Sequence, residues 1–245
     1  MRFLSIILSI CFVSGSDVRV MTYNLLNFSD DDNREMHYMS ILESVLPDLI
    51  VVQEVVGQTG FTHFQSDVLD VFQIGQWSSA PFINQSAQQD IALFFKHDIF
   101  SFVSTGAVAT AQSSGTRDVI EWSMVHDMSE IEFNIYGAHF KASSGSSNAQ
   151  QRLAEATVLR QHLNSLSGSY FIVAGDFNIY SNSASTEPAF NMLTGESDNN
   201  GGRLFDPIDR IGNWHNNSLF SDVHTQSPRI TSFGGGANGL SLIHI

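Results

Sequence analysis

Cysteine is all but missing from this chain. Cys11 is the only one in 245 residues, which excludes a disulfide framework and, past that position, any thiolate nucleophile or thiolate metal site. Basic residues are scarce as well: 11 Lys and Arg face 25 Asp and Glu, a formal net charge of −14. Nonspecific binding to nucleic acid needs a basic patch, and none is visible. Phosphate chemistry on so anionic a surface must lean on a metal cation that neutralises cleft and substrate locally. Internal repeats, heptad arrays and long linkers are missing too. What is present, 42% hydrophobic and 15% charged residues, is the composition of a packed globule. The length suits one large α/β or all-β domain as well as two small ones.

Residues 1–16 read as a secretory signal. Arg2 supplies a positive start, Phe3 to Val13 an apolar core and Ser14-Gly15-Ser16 a small-residue exit. The core is too short to span a bilayer, and it lacks the polar face of the alternative, an uncleaved amphipathic anchor. Cleavage would remove Arg2, take the formal charge from −14 to −15, and leave a cysteine-free protein that is secreted or periplasmic. Nothing in the pattern implies a stable protein partner, so a monomer is expected.

The body of the chain, 17–233, alternates strand and helix patterns. Val18 to Tyr23 reads as a first strand and Asp48 to Gln53 as a second, wholly apolar one that ends at Glu54. Between them, Arg34 to Leu46 places Tyr38, Leu42 and Val45 on one helical face, and Pro47 ends it. Further strands are expected at Ile91 to Phe95, Ser101 to Ala109, Val119 to Val125 and Ile131 to Phe140. A helix is expected at Asn148 to Leu166, with Leu153, Ala156, Leu159, Leu163 and Leu166 as its apolar stripe, and a strand at Tyr170 to Val173. The Ser-, Asn- and Gly-rich stretch Ser181 to Gly202 reads as a long loop around a short helix. Many strands with few helices predict an α+β sandwich, two stacked and mainly antiparallel β-sheets flanked by helices.

Polar residues stand at four strand ends: Asn24, Glu54, His139, and Asp176 with Asn178. Asp176 and Asn178, two apart on extended backbone, point the same way at the mouth of a sheet, where ligands of open α/β sheets bind. Taken alone, Gly175-Asp176-Phe177-Asn178 is equally a polar turn. Taken together, Met21-Thr22-Tyr23-Asn24, Val52-Gln53-Glu54, Gly137-Ala138-His139-Phe140-Lys141 and Gly175-Asp176-Phe177-Asn178 resemble the endonuclease/exonuclease/phosphatase superfamily, the group of deoxyribonuclease I and neutral sphingomyelinases.

The resemblance implies two face-to-face sheets and a phosphoester hydrolase that uses Mg²⁺, with Mn²⁺ or Ca²⁺ as substitutes. It makes Glu54 the metal's carboxylate ligand with Asn24 beside it, a sparse set that suits an ion which keeps most of its waters. It gives Asp176 the attacking water, Asn178 a hydrogen bond to phosphate and His139 the transition state. Lys141 would add a cation from the strand face of His139, or be solvated. Arg117 would contact phosphate, or pair at the surface with Asp118. His37, His63, His97, His126 and His162 match nothing and read as surface or partly buried; Gly212 to Asn217 is similar to a loop of secreted bacterial members and reads as structural.

Two late elements of the family have no counterpart here, a strand with an Arg-x-Asp-x-Ile-like stretch and a final Asp-His pair. Residues 234–245, a glycine-rich run and a foreign-looking tail, are therefore expected to belong to a C-terminally incomplete chain with late strands missing and weak or no activity. The function implied is a secreted, Mg²⁺-dependent phosphodiesterase, an endonuclease with extracellular nucleic acid as its substrate. A sphingomyelinase-like phosphoesterase and a non-catalytic extracellular module are the alternatives.

Overall fold

The computed structural model describes residues 8–11 (backbone only), 17–30, 33–87, 89–166, 168, 170–220 and 222–223. Residues 1–7 and 12–16 of the expected export signal, and the glycine-rich end, lie outside them.

Two mixed sheets pack face to face between helices. In the first, β1 (Leu8–Cys11), β2 (Asp17–Phe28), β3 (Leu49–Val55), β4 (Trp77–Ser79) and β5 (Asp90–Lys96) run in the order β1-β2-β3-β5-β4. In the second, β6 (Phe100–Val108), β7 (Val119–His126), β8 (Ile131–His139) and β9 (Tyr170–Asp176) run in sequence order. Antiparallel pairings dominate as expected, with one parallel pair in each sheet: β2 with β3, and β8 with β9. The segment read as the core of the export signal supplies edge strand β1, paired antiparallel with β2 from Leu8↔Val20 to Cys11↔Asp17.

Strand β3 shows why the layers stack. Its Leu-Ile-Val-Val start is fully buried on both faces, the mark of a central strand covered on two sides. Ile50, Val52 and Val55 face outward onto α1 (Glu35–Val45), meeting Tyr38, Leu42 and Val45. Leu49 and Val51 face inward, onto Ile120, Trp122, Met124 and Ile135 of the other sheet. A third core lies outside the second sheet, where α4 (Ser146–Ser165) and α5 (Pro188–Thr194) bring Ala156, Leu159, Leu163, Phe190 and Leu193 against Tyr136, Val173 and Phe177.

Some elements are not among those expected, and some expectations need correction. Between β3 and β4, where no element is expected, the chain forms an irregular helix, α2 (Gly57–His63) running through a π-helical turn (Phe64–Leu69) into α3 (Asp70–Phe72). A Cβ on Gly60 would lie 2.5 Å from the Phe28 carbonyl oxygen, so close packing on β2 requires glycine there. Strand β8 ends at His139, so Lys141 follows the strand rather than sharing its face. Helix α4 buries Arg152, Glu155 and Arg160 alongside its apolar stripe, whereas Leu153 is only half-buried. His126 is fully buried, its Nδ1 2.7 Å from Ser129 Oγ.

Candidate active site

The two parallel pairs aim their C-terminal ends at one place, because β9 packs across β2 and β3 while β8 packs across β3 and β5. Asn24 and Glu54 come from the first sheet. His139 and Asp176, the last residues of β8 and β9, come from the second as register partners. Irregular backbone then re-aims these side chains. The β2–β3 register shifts between Asn24 and Phe28, and the β3–β5 register shifts between Gln53 and Val55, across Glu54. Glu54 has φ 61° and Asn178 φ 51°; the left-handed region comes naturally to Asn but is strained for Glu. Such strain persists where surrounding structure enforces it, commonly at functional sites. Gly175 lets β9 approach β8, since a Cβ there would lie 2.0 Å from the Ala138 carbonyl oxygen.

Asn24 joins the sheets. Its Nδ2 donates to Glu54 Oε1 at 2.9 Å and to Asp176 Oδ2 at 3.1 Å, while its Oδ1 accepts from the Leu26 N–H at 2.9 Å. Glu54 Oε2 accepts from the Asn27 N–H at 3.0 Å and from Gln89 Nε2 at 3.3 Å. Asp176 Oδ1 accepts from the Asn178 N–H at 3.1 Å. His139 places Nε2 3.9 Å from Glu54 Oε1. Asn178 Nδ2 donates to the Phe140 carbonyl at 3.1 Å; an amide NH₂ carries two hydrogens, so this bond leaves one.

Arg117 is buried at the rim and bonds to Gln89 rather than to Asp118. Nε donates to the Gln89 carbonyl and Nη2 to Gln89 Oε1 at 2.6 Å. Burial pulls its guanidinium below the usual arginine range, opposed by the fields of Glu54, Asp90, Asp176 and Glu155. Burial likewise pushes Asp90 up to about 6 against its bond from the Gln85 N–H and the charge of Arg117. Lys141 turns Nζ to the Ala142 carbonyl at 3.2 Å, and its N–H donates to Glu155 Oε2 at 2.9 Å. Burial pushes Glu155 up to about 7 against that bond and the charges of Arg152, Arg117 and Lys141.

Of the residues expected from sequence, the structure brings Asn24, Glu54, His139, Asp176 and Asn178 into one cluster, with Arg117 at its rim. Sequence reasoning missed Asn27, the penultimate residue of β2, and Gln89, which sits in a polar loop with no periodicity to flag it. The segment Gly212 to Asn217 packs behind the site: Trp214 is buried against Phe190 and donates from Nε1 to the Ile179 carbonyl at 2.8 Å.

A hard divalent cation fits this donor set. Glu54 and Asp176 accept hydrogen bonds from neutral amide groups, and His139 Nε2 stands 3.9 Å from Glu54 Oε1. Among the described residues no cluster of three or more His, Cys, Asp or Glu that could hold a metal ion is found. A ligand role for Asn24 calls for its amide oxygen, which here accepts from Leu26.

The sequence profile of the Endonuclease/Exonuclease/phosphatase family matches residues 21–230. Among solved structures, the human Nocturnin catalytic domain with bound sulfate aligns at TM-score 0.55 and 20% identity, over 73% of this chain and 70% of that one. The mannosyl-6-phosphatase Bt3783 of Bacteroides thetaiotaomicron aligns at 0.54 and 16%, over 71% and 68%. D. rerio TDP2 complexed with a single-strand DNA product aligns at 0.53 and 14%, over 69% and 64%. At such identities these likenesses show the fold. No curated protein sequence matches the chain. The match over residues 21–230 spans most of the sequence: this chain belongs to the Endonuclease/Exonuclease/phosphatase family, whose members are hydrolases, nucleases and phosphatases among them, that generally use divalent metals.

Proposed function

We propose that this chain is a secreted, Mg²⁺-dependent phosphodiesterase that cleaves extracellular nucleic acid endonucleolytically. The observation that carries this reading is the Asn24 amide, bonded at once to Glu54 of one sheet and Asp176 of the other. It fixes two carboxylates side by side through one neutral amide. Glu54 would hold the metal, with Asn24 beside it; when bound, the cation supplies Lewis-acid stabilisation of charge on a phosphoryl oxygen.

The remaining chemistry falls to this chain's own side chains. Asp176, its Oδ1 and Oδ2 oriented by Asn178 N–H and Asn24 Nδ2, orients the attacking water and accepts its proton as the P–O ester bond breaks, the departing oxygen taking its proton from solvent. Asn178 donates its remaining amide hydrogen to a phosphate oxygen. His139, beside Asp176 on the neighbouring strand, donates to the phosphoryl oxygens as charge develops there, where fixed donors contribute most to the rate. Arg117 contacts the phosphate flank from the rim. Substrate arrives against a net charge of −14, so the metal and Arg117 supply the local positive field.

Support for nucleic acid comes from the D. rerio TDP2 structure, solved with a single-strand DNA product. A second reading, phosphomonoesterase, is favoured by the likeness to a mannosyl-6-phosphatase. Incubation with plasmid DNA, RNA, sphingomyelin and a sugar phosphate, each with Mg²⁺ and with EDTA, separates the two. The expected result is weak, Mg²⁺-dependent nicking of the plasmid that EDTA abolishes. Release of phosphate from the sugar phosphate with intact plasmid would replace the first reading by the second.

A further inference from the structure

Arg117 lies in the field of Glu54, the strongest of the four carboxylates it feels, yet it does not close on it. A guanidinium beside a carboxylate ordinarily forms a two-pronged ion pair. This chain does so elsewhere: Arg152 Nε and Nη2 grip Glu187 at 3.1 and 2.5 Å. At the site, Gln89 stands between the two charges. Its carbonyl and Oε1 accept from Arg117, while its Nε2 donates to Glu54 Oε2 at 3.3 Å and to Asn27 Oδ1. A carboxamide carries acceptor and donor on one plane, so one side chain satisfies the cation and the anion and keeps them apart.

The geometry points to Gln89 as a positioning residue that holds Arg117 off Glu54, leaving the carboxylate open to a divalent cation and the guanidinium open to substrate phosphate. This rests on Glu54 being the metal ligand. Without Gln89 the arginine swings onto Glu54, and an incoming metal must displace a guanidinium instead of an amide hydrogen. Removing Arg117 as well then relieves the competition. Rescue by a second deletion is what a merely structural role for Gln89 does not produce.

The test is direct binding of Mn²⁺ to the full chain, read from the free-ion spin-resonance signal and independent of turnover. Gln89→Met, similar in length and without polar groups, is expected to weaken binding about tenfold, the low end for loss of an outer-sphere partner. Gln89→Met with Arg117→Ala is expected to bind as tightly as Arg117→Ala alone. Gln89→Glu, which still offers Arg117 an acceptor, keeps wild-type affinity or better. The proposal is overturned by unchanged binding in Gln89→Met, by a double variant as weak as Gln89→Met, or by a loss in Gln89→Glu equal to that in Gln89→Met. A distinct result, Mn²⁺ uptake absent from wild type or undiminished in Glu54→Gln, would overturn the metal reading and this proposal with it.

Discussion

Two buried polar regions of this molecule use charge in opposite ways. On helix α4, Arg152 is wholly buried and closed on Glu187, with its remaining Nη1 bonds going to the Lys141 and Ser143 carbonyls at 2.8 and 2.9 Å. At the strand ends, Glu54 and Asp176 are held by Asn24, Gln89 and backbone N–H groups. The first region neutralises itself and fixes two loops behind the site. The second is oriented by neutral groups, the arrangement a cation-binding site requires. Buried carboxylates are thus told apart by the charge of their partners rather than by burial.

Substitutions should break the two regions differently. Glu54→Gln removes ligand charge with little change in shape, and activity should fall about 10³-fold or more, several kcal/mol in the barrier. Asp176→Asn should act similarly. Both variants should melt within a few degrees of wild type; near-normal rates in either would dissolve the contrast. Arg152→Ala should do the reverse to stability, costing about 3–5 kcal/mol because Glu187 is left buried and unpaired. Replacing both by Met and Leu should recover most of that loss in a denaturant titration. An Arg152→Ala protein as stable as wild type would show that the pair is not closed in solution.

Glu155 offers a smaller and sharper test. Burial raises its carboxyl from an ordinary value of 4.5 to about 7, so between those pH values the folded state binds more protons than the unfolded. Its contribution to stability is therefore full below pH ~4.5 and lost as pH rises through about 7, on the order of 3 kcal/mol. Glu155→Gln, neutral at every pH, should flatten that fall and melt higher than wild type at pH 8. Parallel melting curves across the window would contradict it.

Much of the site was legible because strands announce their ends. The apolar runs before Glu54 and Asp176 mark where buried β3 and β9 stop, and a polar residue there has to face a cleft. Helix α4 was half legible. Its leucines gave the period, but a buried Arg152, Glu155 or Arg160 breaks the rule that charges face water, and each is tolerated only through a distant partner. Arg160, for one, donates to the Met192, Leu193, Gly195 and Asn199 carbonyls, which sequence spacing does not bring together. Gln89 was illegible for the same reason: its meaning depends on Glu54 and Arg117, 35 and 28 residues away.

The most direct measurement is an anomalous difference map from crystals of this protein soaked in MnCl₂. A single strong peak within about 2.6 Å of a Glu54 carboxylate oxygen, beside Asp176 and with Arg117 still bonded to Gln89, is the predicted result. A map with no peak at Glu54, or with Arg117 closed on that carboxylate, would contradict the account.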